Sequence, residues 1–266
     1  MYNTTYHRAS SVADAAARQA AAEDGKYVSG GMTLIATMKQ RLASPSDLVD
    51  LRHVGELKGI TVNGRNVRIG AAATHFEVAT SAALKAVCPA ISALAGMIGD
   101  PHVRYMGTIG GSVANNDPAA DYPSAVLALN ARVITNKRTI AADDFFQGMF
   151  DTALDSGEII TAFEFEAPAN AGYSKFPNPA SRYAMAGVFV AKAGDGSIRV
   201  AVTGAGSSGV FRHTGMEQAL ATNWSPDAVA GQAVDASDLL SDIHGSSEYR
   251  ANLVKVMAKR AVAAAG

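Results

Sequence analysis

The sequence predicts an α+β protein whose architecture changes near Pro168. Before this residue, helix-like alanine-rich stretches alternate with short apolar strands and glycine turns. After it, antiparallel strand hairpins come first and helices follow. The chain has 266 residues, of which 48% are hydrophobic. This is enough to bury a substantial core in one large domain or two modest ones.

The chain begins with a predicted order of helix, strand, glycine turn and helix. Ser11 is a candidate N-cap of an alanine-rich helix that Gly25 ends. A short strand over residues 26–28 leads into the pair Gly30-Gly31, and a second helix is predicted over residues 32–41.

Asn63-Gly64 lies between the apolar runs 60–62 and 66–69 and predicts a β-hairpin in which both central turn residues have φ > 0. A helix over residues 74–81 is predicted to follow. Another covers 84–98 and is interrupted at Pro89.

A long segment rich in glycine, asparagine and proline, from Gly107 to Pro123, is predicted to be a loop. Loops of this length inside a domain are usually functional. The remaining predicted elements are a helix at 124–129, strands at 131–134, 139–141 and 159–165, a meander from Tyr173 with strands at 184–191 and 198–202, and helices at 216–221 and 248–264.

Charge and cysteine content exclude several classes of function. Lys and Arg total 23 and Asp and Glu total 24, so no overall charge attracts nucleic acid or anionic lipid. Cys88 is the single cysteine, which excludes an internal disulfide, a cysteine zinc site and an iron–sulfur cluster built from this chain alone. No apolar run is long enough to span a membrane, and no targeting segment is evident, so the expected location is the cytoplasm.

Two glycine pairs, Gly30-Gly31 and Gly110-Gly111, are the main candidate binding elements. Without Cβ atoms, successive N–H groups can converge on an oxyanion, and a helix starting at Met32 would add its positive end. The two pairs could clasp a pyrophosphate from both sides. The alternative for either pair alone is a tight turn or a helix cap.

Asp117 and Asp121 are candidate hydroxyl acceptors or acid/base partners in the segment Asp117-Pro-Ala-Ala-Asp121. Pro118 suits the first position of a helix, which makes Asp117 a natural N-cap. Asp121 would then lie one turn further on, where a carboxylate can accept from a ribose diol or a backbone amide.

The segment Gly204-Ala-Gly-Ser-Ser-Gly209 matches the GxGxxG fingerprint, which should open a βαβ unit. Only 57 residues follow it, and they are predicted to be helix and loop. A glycine-rich turn is therefore the favoured interpretation, and a Rossmann dinucleotide site is the alternative.

Taken together, the motifs resemble those of a known family. Val28-Ser-Gly-Gly-Met-Thr-Leu34, Gly107-Thr-Ile-Gly-Gly-Ser112 and Asn115-Asn-Asp-Pro-Ala-Ala-Asp121 resemble the two flavin loops of the FAD-binding medium subunits of molybdenum hydroxylases. This family includes aerobic carbon monoxide dehydrogenase and the corresponding part of xanthine dehydrogenase. The resemblance continues through residues 148–154, 158–160 and 179–184 and spans nearly the whole chain.

The resemblance implies a PCMH-type FAD-binding domain over residues 1–167, formed by α+β subdomains of about 1–57 and 58–167. It implies a C-terminal domain over 168–266 like that of carbon monoxide dehydrogenase flavoproteins, with a three-stranded antiparallel sheet and a helical bundle. FAD would lie extended between the two subdomains, without covalent attachment.

The resemblance also implies the residues that bind FAD. The pyrophosphate would be wrapped by Val28, Ser29, Gly30, Gly31, Met32, Thr33 and Leu34 and met from the other side by Thr108, Gly110, Gly111 and Ser112. The other implied contacts are Asn115, Asp117 and Asp121 at the phosphate or ribose, Ile98 and Ile160 at the adenine, Tyr183 near the isoalloxazine, and Lys175 at the flavin edge. Met32 departs from the family, which often has a polar residue there. No catalytic residue and no metal ligand are expected.

The implied function is that of an electron-transfer subunit. It would accept electrons from a small [2Fe–2S] subunit and pass them to an external acceptor, in a complex with a large molybdopterin subunit arranged as a dimer of heterotrimers. Any association with the inner membrane would be peripheral and through that complex. The alternatives are a stand-alone PCMH-type flavin oxidoreductase and a non-enzymatic nucleotide-binding module. Carbon monoxide, an aldehyde, a purine and an N-heterocycle stay open as substrates, and the run Pro179-Ala-Ser-Arg-Tyr favours a relative like carbon monoxide dehydrogenase. The final acceptor also stays open.

Overall fold

Three main sheets that follow one another along the chain organise the fold, as seen in a computed structural model that describes residues 1–266. A two-stranded sheet over residues 146–152, β8-β9, accompanies the second. The strands are β1 (Thr5–Arg8), β2 (Gly25–Val28), β3 (Asp47–Asp50), β4 (Ile60–Asn63), β5 (Asn66–Gly70), β6 (Arg132–Thr135), β7 (Thr139–Ala141), β8 (Phe146–Gly148), β9 (Asp151–Thr152), β10 (Ile160–Glu166), β11 (Asn170–Pro177), β12 (Ala184–Lys192), β13 (Ile198–Thr203) and β14 (Phe211–Arg212).

The helices pack on these sheets and connect them. They are α1 (Val12–Ala21), α2 (Leu34–Lys39), α3 (His75–Thr80), α4 (Ala82–Val87), α5 (Pro89–Gly96), α6 (Pro101–Met106), α7 (Ile109–Asn115), α8 (Tyr122–Ala128), α9 (Ala142–Phe145), α10 (Thr214–Thr222), α11 (Pro226–Ala230) and α12 (Ser247–Ala264). The α+β class is confirmed, and most predicted elements lie within two residues of their observed bounds.

The first sheet is parallel, in the order β1-β3-β2. Strands β1 and β3 were not predicted from the sequence, because each is four residues long and carries polar side chains. Ser11 caps α1 as predicted, by accepting a hydrogen bond from the Asp14 amide. Helix α2 begins at Leu34 rather than at Met32, because Gly31 has a left-handed φ of +71° and keeps the preceding turn out of the helix.

The second sheet is antiparallel, in the order β4-β5-β10-β6-β7. The predicted hairpin is present, but its turn is shifted by one residue. Asn63 pairs with Asn66, so Gly64 and Arg65 are the central residues, and only Gly64 has a positive φ, of +59°. A glycine at the first central position is typical of a type II′ turn, and the expectation of two positive φ angles was wrong.

The segment 107–123 is not one long loop, and that prediction was wrong. It contains helix α7 and the start of α8. The consecutive Gly110 and Gly111 weaken the helical signal of the sequence. Gly110 is needed because a Cβ there would lie 2.6 Å from the Ala71 carbonyl oxygen. The Thr108 hydroxyl caps α7 by accepting from the Gly111 amide at 3.1 Å.

The third sheet, β11-β12-β13-β14, contains three long antiparallel strands and a two-residue fourth strand, and α10–α12 form the helical part of this region. The segment Gly204–Gly209 lies between β13 and β14 and opens no βαβ unit. Gly204 has a left-handed φ of +81°. The GxGxxG match is therefore a turn, as favoured.

The third sheet packs between α12 and the rest of the molecule. Tyr173 of β11 and Phe189 of β12 belong to the same buried cluster as β5, β10 and α8, whereas Val188 and Val190 face α12 in a second cluster. No helix is both long enough and apolar enough to span a bilayer.

Gly172 tests the close packing of β11 on α12. A Cβ at this position would lie 2.0 Å from the Ala261 carbonyl oxygen, a backbone atom that cannot move independently of its helix. We expect Gly172→Ala to lower the free energy of unfolding by about 2 kcal/mol or more in urea titrations. Gly55→Ala is the control and should leave it nearly unchanged, because no atom lies within 4 Å of the methyl group that this change adds. Equal stability of the two variants would contradict this packing.

Candidate functional site

A cleft with a volume of about 680 Å³ runs between the first sheet and the elements around α7. This volume lies in the range of ligand pockets. The cleft is lined by every residue of the predicted site except Lys175, namely Val28, Ser29, Gly30, Gly31, Met32, Thr33, Leu34, Ile98, Thr108, Gly110, Gly111, Ser112, Asn115, Asp117, Asp121, Ile160 and Tyr183. The structure thus brings together segments from both halves of the predicted nucleotide-binding domain.

The two glycine segments touch each other at the centre of this cleft. A Cβ on Gly30 would lie 2.2 Å from the Met106 carbonyl oxygen and 2.7 Å from the Gly107 Cα. The Ser29 and Thr108 hydroxyls are hydrogen-bonded at 3.1 Å. Gly30 is required because only a residue without a side chain permits this backbone approach.

The first glycine segment presents an unusual row of free donors. The backbone N–H groups of the six residues from Ser29 to Leu34 have no acceptor anywhere in the protein. None of these six residues is buried, and Met32 and Thr33 are exposed, so water can reach the donors until a ligand replaces it. Gly31, in the left-handed region, gives this stretch the alternating conformation that forms anion-binding nests. The segment therefore fits a bound group that is rich in anionic oxygens, such as a pyrophosphate.

The second glycine segment does not present free amides in the same way. The Ile109 amide donates to the Ala73 carbonyl at 3.1 Å, and the Gly110 amide donates to the Ala71 carbonyl at 2.8 Å. The Gly111 amide is held by its cap, Thr108. The expectation that both pairs would aim amides at one diphosphate is therefore corrected. The second pair is a packing element. The polar side chains that α7 offers to the cleft are Ser112 and Asn115, which have no side-chain hydrogen bond within the protein.

The two predicted aspartates have different environments. Asp117 caps no helix, contrary to prediction, because its backbone forms a turn in which Oδ1 accepts from the Ala119 amide at 2.9 Å. Asp121 is buried, and both of its oxygens bind Lys175, at 2.9 and 3.1 Å. Tyr173 also donates to Asp121 Oδ1. Burial raises the pKa of the Asp121 carboxyl, and the contacts with Lys175 and Tyr173 oppose that rise. Asp121 Oδ1 accepts from Tyr173 and contacts Lys175, whereas Oδ2 accepts from Lys175 alone.

Lys175 lies behind Asp121 rather than on the wall of the cleft. Its ammonium also donates to the Met97 carbonyl at 3.0 Å. Ile98 follows that carbonyl, whereas Ile160 starts β10, next to the segment 152–159. The two isoleucines therefore line the cleft beside different elements.

Tyr183 is the aromatic residue at the Asp121 side of the cleft. It is half exposed, and burial together with the nearby Asp117 and Asp121 charges raises the pKa of its phenol. On the other side, the Tyr27 hydroxyl donates to the Gly157 carbonyl at 3.0 Å, and burial raises its pKa to about 12. Neither phenol is suited to proton transfer near neutral pH.

The segment 152–159 forms one wall of the cleft and was not predicted from the sequence. Glu158 anchors it by accepting from Thr135 at 2.6 Å and from Arg138 at 3.1 Å. Burial raises the pKa of Glu158, but these hydrogen bonds outweigh it and lower the pKa to about 2. The sequence signals for this wall were the family-like runs 148–154 and 158–160.

His75 is a second lining residue without a clear sequence signal. It is 5% exposed, and a Cβ on Gly107 would lie 2.5 Å from its Nε2. Its Nδ1 is buried and has no hydrogen-bond partner. Burial, with a smaller effect from Arg104, lowers the pKa of His75 to about 4, so the ring is neutral at physiological pH.

A cleft between two α+β lobes, with a row of free amides at its centre, is the arrangement of a protein that binds a phosphate-bearing cofactor. Residues 2–167 match the family model described as the FAD binding domain in molybdopterin dehydrogenase. The chain therefore belongs to this family of FAD-binding dehydrogenase subunits, as the motifs predicted.

Relatives along the full length agree with this assignment. The chain is 36% identical to the carbon monoxide dehydrogenase medium chain of Afipia carboxidovorans, over 97% of this chain and 94% of that one. It is also 36% identical to the nicotine 6-hydroxylase medium subunit of Paenarthrobacter nicotinovorans, over 98% and 96%. The solved structure of reconstituted CO dehydrogenase from Oligotropha carboxidovorans matches with a TM-score of 0.88 and 34% identity, over 99% of this chain and 98% of that one. The chain is an FAD-binding oxidoreductase subunit.

His75 predicts how stability depends on pH. Its folded pKa of about 4 lies below the ordinary value of 6.5, so the unfolded chain binds more protons between these values and stability falls as the pH falls through this window. The loss from this residue is up to about 3 kcal/mol. We expect a shallower slope of unfolding free energy against pH in His75→Gln, measured by urea titration from pH 7 to pH 4. Identical slopes for the two chains would show that the ring is not buried in its neutral form.

Proposed function

We propose that this chain is the flavin subunit of a multi-subunit molybdenum hydroxylase, in which electrons from a [2Fe–2S] partner pass through FAD to an external acceptor. The observation that carries the proposal is the row of free amides from Ser29 to Leu34 in a cofactor-sized cleft. The chain has one cysteine, which is buried, so it cannot ligate an iron–sulfur cluster by itself. The clusters and the molybdopterin therefore belong to partners.

The expected partners are a small iron–sulfur subunit and a large molybdopterin subunit, assembled in the cytoplasm as a dimer of heterotrimers. The names of the relatives support a complex, because two of them are a medium chain and a medium subunit. Those names refer to different substrates, carbon monoxide and nicotine. Substrate choice would then lie with the molybdopterin subunit and not with this chain.

We propose that FAD lies extended along the cleft. The amides of residues 29–34 would hold the pyrophosphate, with Ser112 and Asn115 on the opposite side. The adenosine would lie toward Tyr27 and the segment 152–160. The isoalloxazine would lie toward Tyr183, since a half-exposed aromatic ring can stack on its planar system. Binding would be non-covalent, as the resemblance to the family implies.

The residues of the chain bind the cofactor, orient it and exclude water from it. Backbone amides supply the hydrogen bonds to the diphosphate, so its charge needs no lysine. Apolar side chains such as Leu57 and Ile160 shield the walls from solvent. Bound FAD supplies electron storage between a one-electron donor and an external acceptor. No residue of this chain is assigned acid or base chemistry on a substrate.

We further propose that the chain is organised as subdomains 1–57 and 58–167 followed by a domain 168–266. The strand pairing supports this division, because the first sheet ends at Asp50, the second spans residues 60–166 and the third begins at Asn170. The cleft is formed mainly between the first two units, and the third contributes Ser181, Arg182 and Tyr183.

The first test measures FAD binding by the full chain. Gly30→Ala should weaken FAD binding at least about ten-fold, which is about 1.4 kcal/mol, because the added methyl forces the amide loop away from Met106. Flavin absorbance and FAD content per chain are the measurements. Gly96→Ala, whose added methyl would have no atom within 4 Å, is the control and should bind FAD like the wild type. A colourless wild-type chain that fails to bind FAD would contradict the proposal.

The second part of the test separates an electron-transfer subunit from a stand-alone enzyme. The purified chain loaded with FAD should turn over no small organic substrate by itself. The flavin should become reduced only after the partner subunits and their substrate are added. Turnover by the isolated chain would support the stand-alone oxidoreductase, and binding of adenine nucleotides without flavin would support a nucleotide-binding module.

A further inference from the structure

The strongest unexplained feature near the cleft is a buried charged cluster between the third sheet and the elements that form the cleft. The side chains of Lys175 and Asp121 are 3% and 6% exposed. The Lys175 ammonium contacts both carboxylate oxygens of Asp121, at 2.9 and 3.1 Å, and the Met97 carbonyl, at 3.0 Å. Tyr173 donates to the same carboxylate. The Lys175 ammonium therefore donates two hydrogen bonds, to Asp121 Oδ2 and to the Met97 carbonyl, and lies in ion-pair contact with Asp121 Oδ1.

This cluster connects two separate parts of the fold. Lys175 and Tyr173 lie on β11, in the third sheet. Asp121 is the residue that precedes α8, and Met97 is the C-cap of α5. The cluster therefore fixes the end of β11 against two helices of the FAD-binding part.

The loop that follows β11 is closed by its own hydrogen bonds and reaches the cleft. The side-chain oxygen of Asn178 accepts from the Ala180 and Ser181 amides at 2.9 and 3.2 Å. The Asn178 amide donates to the Tyr183 carbonyl at 2.7 Å, and the Arg182 amide donates to the Asn178 carbonyl at 2.8 Å. Because these bonds close the loop on itself, the end of β11 sets the position of the Tyr183 backbone, from which the half-exposed ring reaches the cleft.

A contribution to folding stability does not explain why these charges are buried. A buried ion pair contributes little net stability compared with apolar residues of the same shape, because removing two charges from water offsets most of their attraction. The geometry points to a role in position, and we propose that Lys175 is a positioning residue. By binding Asp121 and the Met97 carbonyl, it holds the loop 178–183, and with it Tyr183, over the flavin ring. This inference rests on the proposed placement of the isoalloxazine.

The experiment compares flavin fluorescence in the full chain loaded with FAD. A tyrosine ring stacked on the isoalloxazine quenches its emission, so Tyr183→Ala sets the unquenched reference. Lys175→Met keeps the length of the side chain and removes its charge. We expect the emission per bound flavin in Lys175→Met to rise toward the Tyr183→Ala level. The double variant should emit no more than Tyr183→Ala alone, because both changes remove the same contact.

Matched variants show whether the rise in emission comes from the position of Lys175 or from the loss of any lysine charge. Lys259→Met removes an exposed ion pair with Asp227 far along α12 and should leave emission at the wild-type level. Lys175→Arg keeps the cation and should restore part of the quenching. If Lys175→Met does not fold, Tyr173→Phe removes only the hydroxyl that binds Asp121 and should show a smaller rise in emission.

Two results would overturn the inference. One is a Lys175→Met variant that still binds FAD and emits at the wild-type level per bound flavin. The same result from Tyr173→Phe counts if Lys175→Met does not fold. The other is a rise in emission that adds to that of Tyr183→Ala. Failure of the wild-type chain to bind FAD is a different result, which contradicts the proposed function itself. The FAD content of each variant distinguishes these cases.

Discussion

The structure of the cleft depends on one constraint, which is that the backbone of Gly30 must touch the backbone at Met106 and Gly107. This contact places the turn after β2 directly against the start of α7. It leaves the amides of Ser29 to Leu34 without protein acceptors, in a position where an anionic ligand can satisfy them. Water can satisfy these donors in the apo chain, because none of the six residues is buried. The loaded chain is expected to be more stable than the apo chain, because FAD would bind only the folded state.

The two glycine pairs look equivalent in the sequence but have different physical roles. The first pair provides conformational freedom, through the left-handed Gly31, and free donors. The second pair provides close packing, through Gly110 against the carbonyl of Ala71, and its amides are used within the protein. The two roles are linked along the chain, because the donor loop packs at Gly30 on Met106 and Gly107, which directly precede the helix that contains the second pair.

Much of this organisation was predictable from the sequence, for identifiable reasons. Strand β12 is a continuous apolar run and α12 is a long stretch of good helix formers, and both were predicted within two residues. Strands β1 and β3 are short, and their pairing is parallel and non-local, so no local pattern marked them. Helix α7 was missed because its glycines disfavour a helix, and tertiary packing on Ala71 overrides that preference.

In the candidate site too, residues marked by a local sequence motif were predicted, and residues placed by distant contacts were not. Seventeen of the eighteen predicted positions line the cleft because the family motifs are contiguous in the sequence. His75 and the Glu158–Arg138 pair were missed because their roles arise from contacts between distant elements. The partners of Asp121 were not predictable for the same reason, because Lys175 is 54 residues away in the chain.

Amide hydrogen exchange in the full chain, with and without FAD, tests most directly whether the first glycine segment binds the diphosphate. We expect FAD to slow strongly the exchange of the amides from Ser29 to Leu34, which have no partner in the protein. Exchange of the Ile109 and Gly110 amides, which already have carbonyl partners, should be slow in both states. Unchanged exchange over residues 29–34 on addition of FAD, or protection confined to residues 109 and 110, would contradict this role of the segment.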